Sequence, residues 1–168
     1  MSEVWANFVV GADGATTHQG NSRALSSHLD RRRFHSIRES FDQILIGGQT
    51  ARSEPYGKTP KPLVVVTRQP TNIGSAARNP LVKISALSPT ETLSQLTSDS
   101  DEKILVEGGA SFLRELIAAD LVDGLFITQT NLDGDGEAID LESLTQNFEI
   151  SQIEDSDGES FYTYIRRR

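Results

Sequence analysis

The chain has 168 residues, of which 36% are hydrophobic and 24% are charged, and its net charge at pH 7 is −8. This length is enough for one domain with its own hydrophobic core and too short for two ordinary domains. No apolar run approaches the ~20 residues of a membrane-spanning helix, and the first ten residues lack the features of a signal peptide. We therefore expect a single domain over residues 1–168 that acts in the cytoplasm without a membrane partner.

Charge is unevenly divided between the two halves of the sequence. Residues 1–84 carry a net charge of +5, whereas residues 85–168 carry −13. An acidic protein is a poor nucleic-acid binder, so we expect no nucleic-acid partner, although the basic first half suits an anionic small molecule. The chain has no cysteine, which excludes disulfides and thiolate metal sites and is compatible with a reducing compartment.

Short apolar runs alternate with helical patterns along the chain. Val4–Val10, Gln43–Gly47 and Leu63–Thr67 predict buried strands, and a helix is expected from a cap at Ser26 or Ser27 to about Ser40. The remaining predicted elements are a short turn or helix at 48–53, an edge-like strand at Val82–Ser85, a helix capped by Thr90, a strand–turn–helix unit at Lys103–Ala119, a strand at Gly124–Thr130 and two alternating stretches, Phe148–Ile153 and Phe161–Ile165.

The order of these elements predicts the fold class. Strands alternate with helices until the end of the chain, where Asp157-Gly158 between two alternating stretches is a strong hairpin signal. We therefore expect an α/β fold of three layers (αβα), with a mostly parallel central sheet and an antiparallel C-terminal hairpin.

The unit at Lys103–Ala119 carries the strongest local signal for a ligand site. A buried strand ends at Glu107, and the Gly108-Gly109 turn leads into a helix with one apolar face. Such a turn leaves helix N–H groups facing outward, and glycine has no Cβ that would hold a phosphate away. Any α/β protein also needs glycine between strand and helix. This signal alone therefore does not distinguish a phosphate-binding site from a turn that serves only the fold.

Other loops at the carboxyl ends of the predicted parallel strands support a ligand site, because ligands bind at this edge of open α/β sheets. The loops collect glycines, hydroxyls and arginines, which suit phosphate and ribose. Thr67-Arg68 directly follows a buried strand and would suit a 2′-phosphate on an adenosine ribose, with a surface arginine as the equal alternative. Arg31 and Arg38 are seven residues apart and share one face of the predicted helix.

The sequence lacks the motifs of several other classes of binding site and enzyme. No G-x-G-x-x-G follows the first strand, and the sequence contains no Walker A lysine motif and no G-x-S-x-G nucleophile motif. His28 and His35 share a helix but lie seven residues apart, beyond the reach of one metal ion. We therefore expect no metal site, and we expect the histidines to be structural or exposed.

Seven short motifs follow one another along most of the chain. In this order they resemble the pyrimidine reductase domain of bacterial riboflavin biosynthesis, a member of the dihydrofolate reductase superfamily. The resemblance implies a dihydrofolate reductase-like fold without the deaminase domain that is often fused to it. The motifs are Gly11-Ala12-Asp13-Gly14, Gly20-Asn21-Ser22, Ile37-Arg38, Asp42 to Thr50, Glu54-Pro55, Val106 to Gly109 and Leu121-Val122-Asp123.

The resemblance implies a reaction and a set of site residues. The reaction is hydride transfer from NADPH to C1 of the ribose of 5-amino-6-(5-phosphoribosylamino)uracil, which gives the ribityl product, and a homodimer is implied by analogy. Ser22, Arg38 and Glu107 match positions that hold the substrate, with Arg38 suited to its phosphate and Glu107 as the candidate catalytic carboxylate. The positions implied for NADPH are Val10, Thr50, Glu54, Thr67, Arg68, Gly108, Gly109, Ala110, Ser111, Phe112 and Leu113.

The chain departs from the family pattern at three places. Ala15 stands where Lys or Arg often follows Asp-Gly, and Ala24 stands where a tryptophan is common. Tyr56-Gly57-Lys58 replaces a Leu-Thr-x-Arg segment whose arginine meets the substrate phosphate, so Lys58 or Arg23 would supply the charge instead.

Two other functions stay open on these residues. One is a dihydrofolate reductase-like enzyme that acts on a pterin, for which Asp30 is the one acidic residue of the first helix placed to give a proton. The other is a non-catalytic NADPH-binding protein.

Overall fold

The computed structural model describes all 168 residues, Met1–Arg168. An eight-stranded sheet runs through the middle of the molecule in the order β4-β3-β2-β5-β1-β6-β8-β7. The strands are β1 (Glu3–Val10), β2 (Gln43–Gly47), β3 (Leu63–Val66), β4 (Val82–Ser85), β5 (Lys103–Val106), β6 (Gly124–Gln129), β7 (Phe148–Ser156) and β8 (Glu159–Arg166).

Strand direction confirms the predicted mixed sheet. The six strands from β4 to β6 run parallel to one another, and β8 and β7 continue the sheet in antiparallel pairing. The hairpin turns at Asp157 and Gly158, whose φ angles are 50° and 81°. A two-residue hairpin turn with both φ values positive favours this Asp-Gly pair, since glycine adopts positive φ without a steric penalty.

Helices cover both faces of the sheet. They are α1 (His28–Glu39), α2 (Gly48–Ser53), α3 (Pro89–Thr97), α4 (Ala110–Ala118) and α5 (Leu141–Thr145), with a 3-10 helix at Gly74–Arg78. None of them combines the length and the apolar character that crossing a membrane requires.

Alternating strand residues divide the core into two clusters. Ile104 and Val106 of β5 pack in the larger cluster with Leu113 and Leu116 of α4. Ile46 of β2 packs in the smaller cluster, which also contains α2 and 3-10 helix residues. Successive strand residues point to opposite faces, so these clusters lie on opposite sides of the sheet and give the three predicted layers.

The parallel strands end together at one edge of the sheet. Gly47 is aligned with Val66 across β2 and β3, and Leu45 is aligned with Val106 across β2 and β5. The residues that follow these strands, Thr67 and Glu107, are therefore brought to the same edge. This is the edge at which the sequence predicts the ligand site.

The helix caps differ from the sequence prediction at one place. Helix α3 begins after Ser88, whose hydroxyl accepts a hydrogen bond from the backbone N–H of Glu91, while the Glu91 side chain accepts one from the Ser88 N–H. The prediction that Thr90 is the cap is wrong, because this capping box and Pro89 in the first turn start the helix two residues earlier.

Helix α5 was not predicted from the sequence. It is five residues long, Asp140 caps it, and Leu144 is its single buried residue. One buried side chain cannot produce the repeating apolar pattern from which a helix is recognised.

Candidate active site

A cavity of about 1010 Å³ opens at the carboxyl edge of the parallel strands. Of the residues predicted to bind a ligand, Val10 does not line it and is instead fully buried in the larger core cluster. The other predicted residues all line the cavity, namely Ser22, Arg38, Thr50, Glu54, Lys58, Thr67, Arg68, Glu107, Gly108, Gly109, Ala110, Ser111, Phe112 and Leu113. The structure thus brings together residues from five separate segments of the chain.

The glycine turn before α4 leaves open space beside backbone donors. Gly109 is the N-cap of α4 and makes no side-chain cap, so the first N–H groups of the helix lack the bond that a capping side chain would give them. A Cβ added to Gly109 would lie 3.4 Å from Thr50 Oγ1, and one added to Gly108 would lie 3.6 Å from the same atom. Uncapped N–H groups of this kind at a helix N-terminus suit the binding of a phosphate.

The end of β3 supplies a second polar surface of the cavity. A Cβ on Gly48 would lie 2.7 Å from Thr67 Oγ1, so the glycine permits the close approach of α2 to this strand. Thr67 Oγ1 accepts a hydrogen bond from the Gln69 N–H at 3.0 Å. Arg68 is exposed and forms no ion pair, so its guanidinium is free to bind a phosphate.

A buried ion pair also lines the cavity. Arg38 donates from Nε to Glu107 Oε1 and from Nη2 to Oε2, both at 2.7 Å. The Tyr56 hydroxyl also donates to Oε2, at 2.8 Å. The guanidinium carbon of Arg38 lies 4.2 Å from the ring centre of Phe34 and 5.5 Å from that of Tyr56. The side chains of Arg38 and Glu107 are 11% and 1% exposed.

The pKa values of this cluster follow from its burial. Burial raises the pKa of the Tyr56 hydroxyl well above its ordinary value, and the charge of Glu107 raises it further. Burial acts to lower the pKa of Arg38, but the hydrogen bonds and charge of Glu107 outweigh it and leave this pKa raised. Glu107 accepts three hydrogen bonds from these two side chains, so the cluster suits binding and orientation.

One hydrogen bond connects the two loops that carry Ser22 and Glu54. The backbone N–H of Ser22 donates to Glu54 Oε1 at 2.6 Å. The resemblance assigns Ser22 to the substrate and Glu54 to the cofactor. The bond therefore holds these two loops together at the cavity wall.

Asp30 brings a second carboxylate to the cavity wall. It is one of two buried residues of α1, the other being Arg38. Its oxygens accept hydrogen bonds from Thr128 Oγ1 of β6 at 2.6 Å and from Ser26 Oγ at 2.5 Å. Asp30 is thus held rigidly while it faces the cavity.

Sequence reasoning missed three polar residues of this site. Tyr56 could not be identified because its hydroxyl binds Glu107, which lies 51 residues away in the sequence. Thr128 could not be identified because it binds Asp30, which is 98 residues away. Asn7 lines the cavity and has a buried amide nitrogen without a hydrogen-bond partner. A polar residue inside the apolar strand Val4–Val10 is the signal that could have identified it. No group of three or more histidine, aspartate or glutamate side chains is arranged to hold a metal ion.

Solved structures share the whole fold with this chain. A pyrimidine reductase-like protein from Corynebacterium diphtheriae matches with a TM-score of 0.72 and 19% identity over 99% of this chain and 92% of that one. Dihydrofolate reductase from Enterococcus faecalis, solved with NADP(H), matches with a TM-score of 0.69 and 19% identity over 99% and 97%. The fold is therefore dihydrofolate reductase-like.

A third structure is longer than this chain. The deaminase and 5-amino-6-(5-phosphoribosylamino)uracil reductase from Thermotoga maritima matches with a TM-score of 0.68 and 19% identity over 98% of this chain. The chain spans 56% of the length of that protein.

Sequence comparison identifies the family. No curated protein sequence matches the chain significantly. The family model described as the RibD C-terminal domain matches residues 2–132. This range includes β1 to β6 and every candidate site residue named above, and we conclude that the chain belongs to the RibD C-terminal domain family.

Proposed function

We propose that this protein is an NADPH-dependent reductase that converts the ribose of 5-amino-6-(5-phosphoribosylamino)uracil to its ribityl form. Membership of the RibD C-terminal domain family supports an oxidoreductase of riboflavin biosynthesis. The glycine cradle before α4 (Gly108-Gly109) and the Arg38–Glu107 pair line the same cavity, and this observation carries the proposal.

The cofactor end of the cavity comprises the cradle and the end of β3. Gly108, Gly109 and the first turn of α4 would hold the diphosphate, and Ser111 would add a hydroxyl. Thr67 and Arg68 would hold the 2′-phosphate, since a free guanidinium favours that group. NADPH, when bound, supplies the hydride.

The substrate end of the cavity is built around the buried ion pair. Arg38 has one guanidinium nitrogen, Nη1, that does not contact Glu107. We propose that Arg38 and Glu107 orient the ribose. Ser22 and Lys58 would make further contacts with the substrate. Orientation of two bound reactants is itself a large contribution to rate. Glu107 is the proposed catalytic carboxylate in the sense of positioning and polarising the substrate.

NADPH oxidation by the purified protein tests the proposal. The protein is offered 5-amino-6-(5-phosphoribosylamino)uracil and dihydrofolate in separate reactions, and NADPH binding is followed by fluorescence in parallel. Turnover with the first substrate alone is the expected result. NADPH binding without turnover on either substrate would contradict it and favour a non-catalytic NADPH-binding protein.

The rigidly held Asp30 favours a second candidate function, the reduction of a pterin. A carboxyl group fixed by Thr128 and Ser26 beside the ligand space could give a proton to a ring nitrogen. Turnover with dihydrofolate alone, abolished in Asp30→Asn, would select this function over the first.

We also propose a cytoplasmic homodimer that forms through the C-terminal hairpin. Strand β7 is the edge of the sheet, and it exposes Ile150 and Ile153, while β8 exposes Ile165. Unpaired edges and exposed apolar side chains favour association. Sedimentation equilibrium of the wild type and of Ile150→Glu/Ile153→Glu tests this, and a wild-type monomer at micromolar concentration would contradict it.

A further inference from the structure

We propose that the phosphate of the substrate is bound by Arg31 and His35 of α1, with Lys58 beside them, instead of by Arg38. This inference rests on the proposed function for the identity of the substrate. It assigns a new anion-binding subsite to the same cavity.

The first step is that Arg38 is already engaged. Two of its three guanidinium nitrogens donate to Glu107 at 2.7 Å, and its planar group lies between Phe34 and Tyr56. The carboxylate neutralises its charge inside the protein. A phosphate at Arg38 would reach only Nη1, and a bidentate contact would require displacing Glu107, which would leave a buried carboxylate without its cation.

The second step is that α1 offers a second arginine and a histidine on the same face. Arg31, Phe34, His35 and Arg38 lie at positions i, i+3, i+4 and i+7, and all four line the cavity. Residues at this spacing form one continuous stripe along a helix. Arg31 and His35 therefore lie one to two turns from Arg38 along the wall of the ligand space.

The third step is the balance of charge around this stripe. Arg31, His35 and Lys58 form no ion pair with any carboxylate. Two carboxylates line the same cavity and accept hydrogen bonds from other groups, since Asp30 accepts from Thr128 and Ser26 and Glu54 accepts from Ser22. The unpaired guanidinium of Arg31 and the ammonium group of Lys58 are therefore available to a phosphate, which forms strong charge-assisted hydrogen bonds with such groups.

The position of the Arg31–His35 stripe on α1 also keeps the substrate phosphate apart from the proposed cofactor cradle. The cofactor cradle is formed by the β5–α4 turn and the end of β3, whereas the stripe belongs to α1. The ribose would lie at the Arg38–Glu107 pair between them. The phosphate of the substrate and the phosphates of NADPH would then occupy separate parts of the cavity and would not repel each other closely.

Ribose 5-phosphate is a probe that tests the subsite without turnover. Its dissociation constant is measured by calorimetry for the wild type and for Arg31→Gln/His35→Gln, with neutral ribose as the ligand control. We expect the double variant to bind ribose 5-phosphate at least about tenfold more weakly, because charge-assisted hydrogen bonds are lost. Ribose binding should not change.

Arg32→Gln is the matched control, because Arg32 belongs to the same helix, carries the same charge and does not line this cavity. We expect it to bind ribose 5-phosphate within twofold of the wild type. The proposal is overturned if the double variant binds as the wild type does, if Arg32→Gln weakens binding equally, or if the wild type does not prefer ribose 5-phosphate to ribose.

Turnover separates this inference from the proposed function. Reduction of the ribosylaminouracil phosphate with a KM that is unchanged in Arg31→Gln/His35→Gln would overturn the subsite and leave the proposed function intact. Binding of ribose 5-phosphate that depends on Arg31 and His35, without turnover, would support the subsite and contradict the proposed function.

Discussion

Arg38 and Glu107 form a bidentate ion pair between helix α1 and the end of strand β5, with two contacts of 2.7 Å across 69 residues of sequence. The pair lines the cavity next to the glycine cradle, since Glu107 directly precedes Gly108. It therefore connects the stability of the fold to the shape of the ligand site.

Removal of one partner of this pair should destabilise the protein strongly. We expect Arg38→Met to lower the free energy of unfolding by about 3–5 kcal/mol, because it leaves the Glu107 carboxylate buried without its cation. Urea unfolding measures the change. The control is Arg38→Met/Glu107→Leu, which removes both charges and should recover much of the loss. A double variant as unstable as the single one would contradict this account.

Substitution of Tyr56 by Phe should test the third member of the cluster. The variant keeps the ring beside Arg38 but removes the hydroxyl that donates to Glu107. We expect the free energy of unfolding to fall by about 0.5–1.5 kcal/mol at pH 7, the usual net value of one hydrogen bond. Urea unfolding that shows no change would mean that water replaces the hydroxyl as donor.

The same tyrosine should make stability depend on alkaline pH. The pKa of Tyr56 is raised well above the ordinary value of about 10, so above pH 10 the unfolded chain loses the phenolic proton before the folded protein does. The contribution is complete below pH 10 and decreases above it, by at most about 1.4 kcal/mol per pH unit. Unfolding between pH 8 and pH 11 should show a shallower decline for Tyr56→Phe, and identical slopes would contradict the assignment.

A methyl group at Gly109 should separate cofactor binding from folding. The added Cβ would have an ordinary contact of 3.4 Å with Thr50 Oγ1, but it would project into the proposed diphosphate position. We expect Gly109→Ala to raise the NADPH dissociation constant at least about tenfold with little change in thermal midpoint. Gly108→Ala is the comparison, because its φ of +115° predicts a loss of stability as well. Unchanged NADPH affinity in Gly109→Ala would remove the cradle from the cofactor site.

The cap of α3 gives a prediction that is independent of ligands. We expect Ser88→Ala to lower the free energy of unfolding by about 1 kcal/mol, because it removes the hydroxyl that accepts from the Glu91 N–H. Thr90→Ala, at the position that the sequence suggested, should cost less. Equal losses in chemical unfolding would mean that both hydroxyls contribute to the cap.

The strand pattern was predictable from sequence because it depends on local order. The apolar run Gln43–Gly47 and the Asp157-Gly158 turn are each specified by neighbouring residues, and both appear in the structure where the sequence placed them. The start of α3 was missed because Ser88 and Thr90 are both suitable caps, and the choice depends on how Glu91 folds back.

The candidate site was predictable as a set of residues and less so as a set of contacts. Thr67 and Glu107 could be expected at one edge because parallel strands end together. The Arg38–Glu107–Tyr56 cluster could not, because it depends on the packing of α1 against the end of β5. Sequence reasoning therefore treated Arg38 as a free cation, whereas its guanidinium is bound to a carboxylate.

The order of the strands also has a consequence for synthesis of the chain. Strand β1 is synthesised before the other strands of this sheet, yet both of its neighbours, β5 and β6, lie beyond residue 102. Its apolar residues have no partner in the sheet until residues 103–106 have emerged. Strand β1 is thus open to chaperones and to aggregation while the roughly one hundred residues between β1 and β5 are made, and the middle of the sheet can close only after β6 has followed.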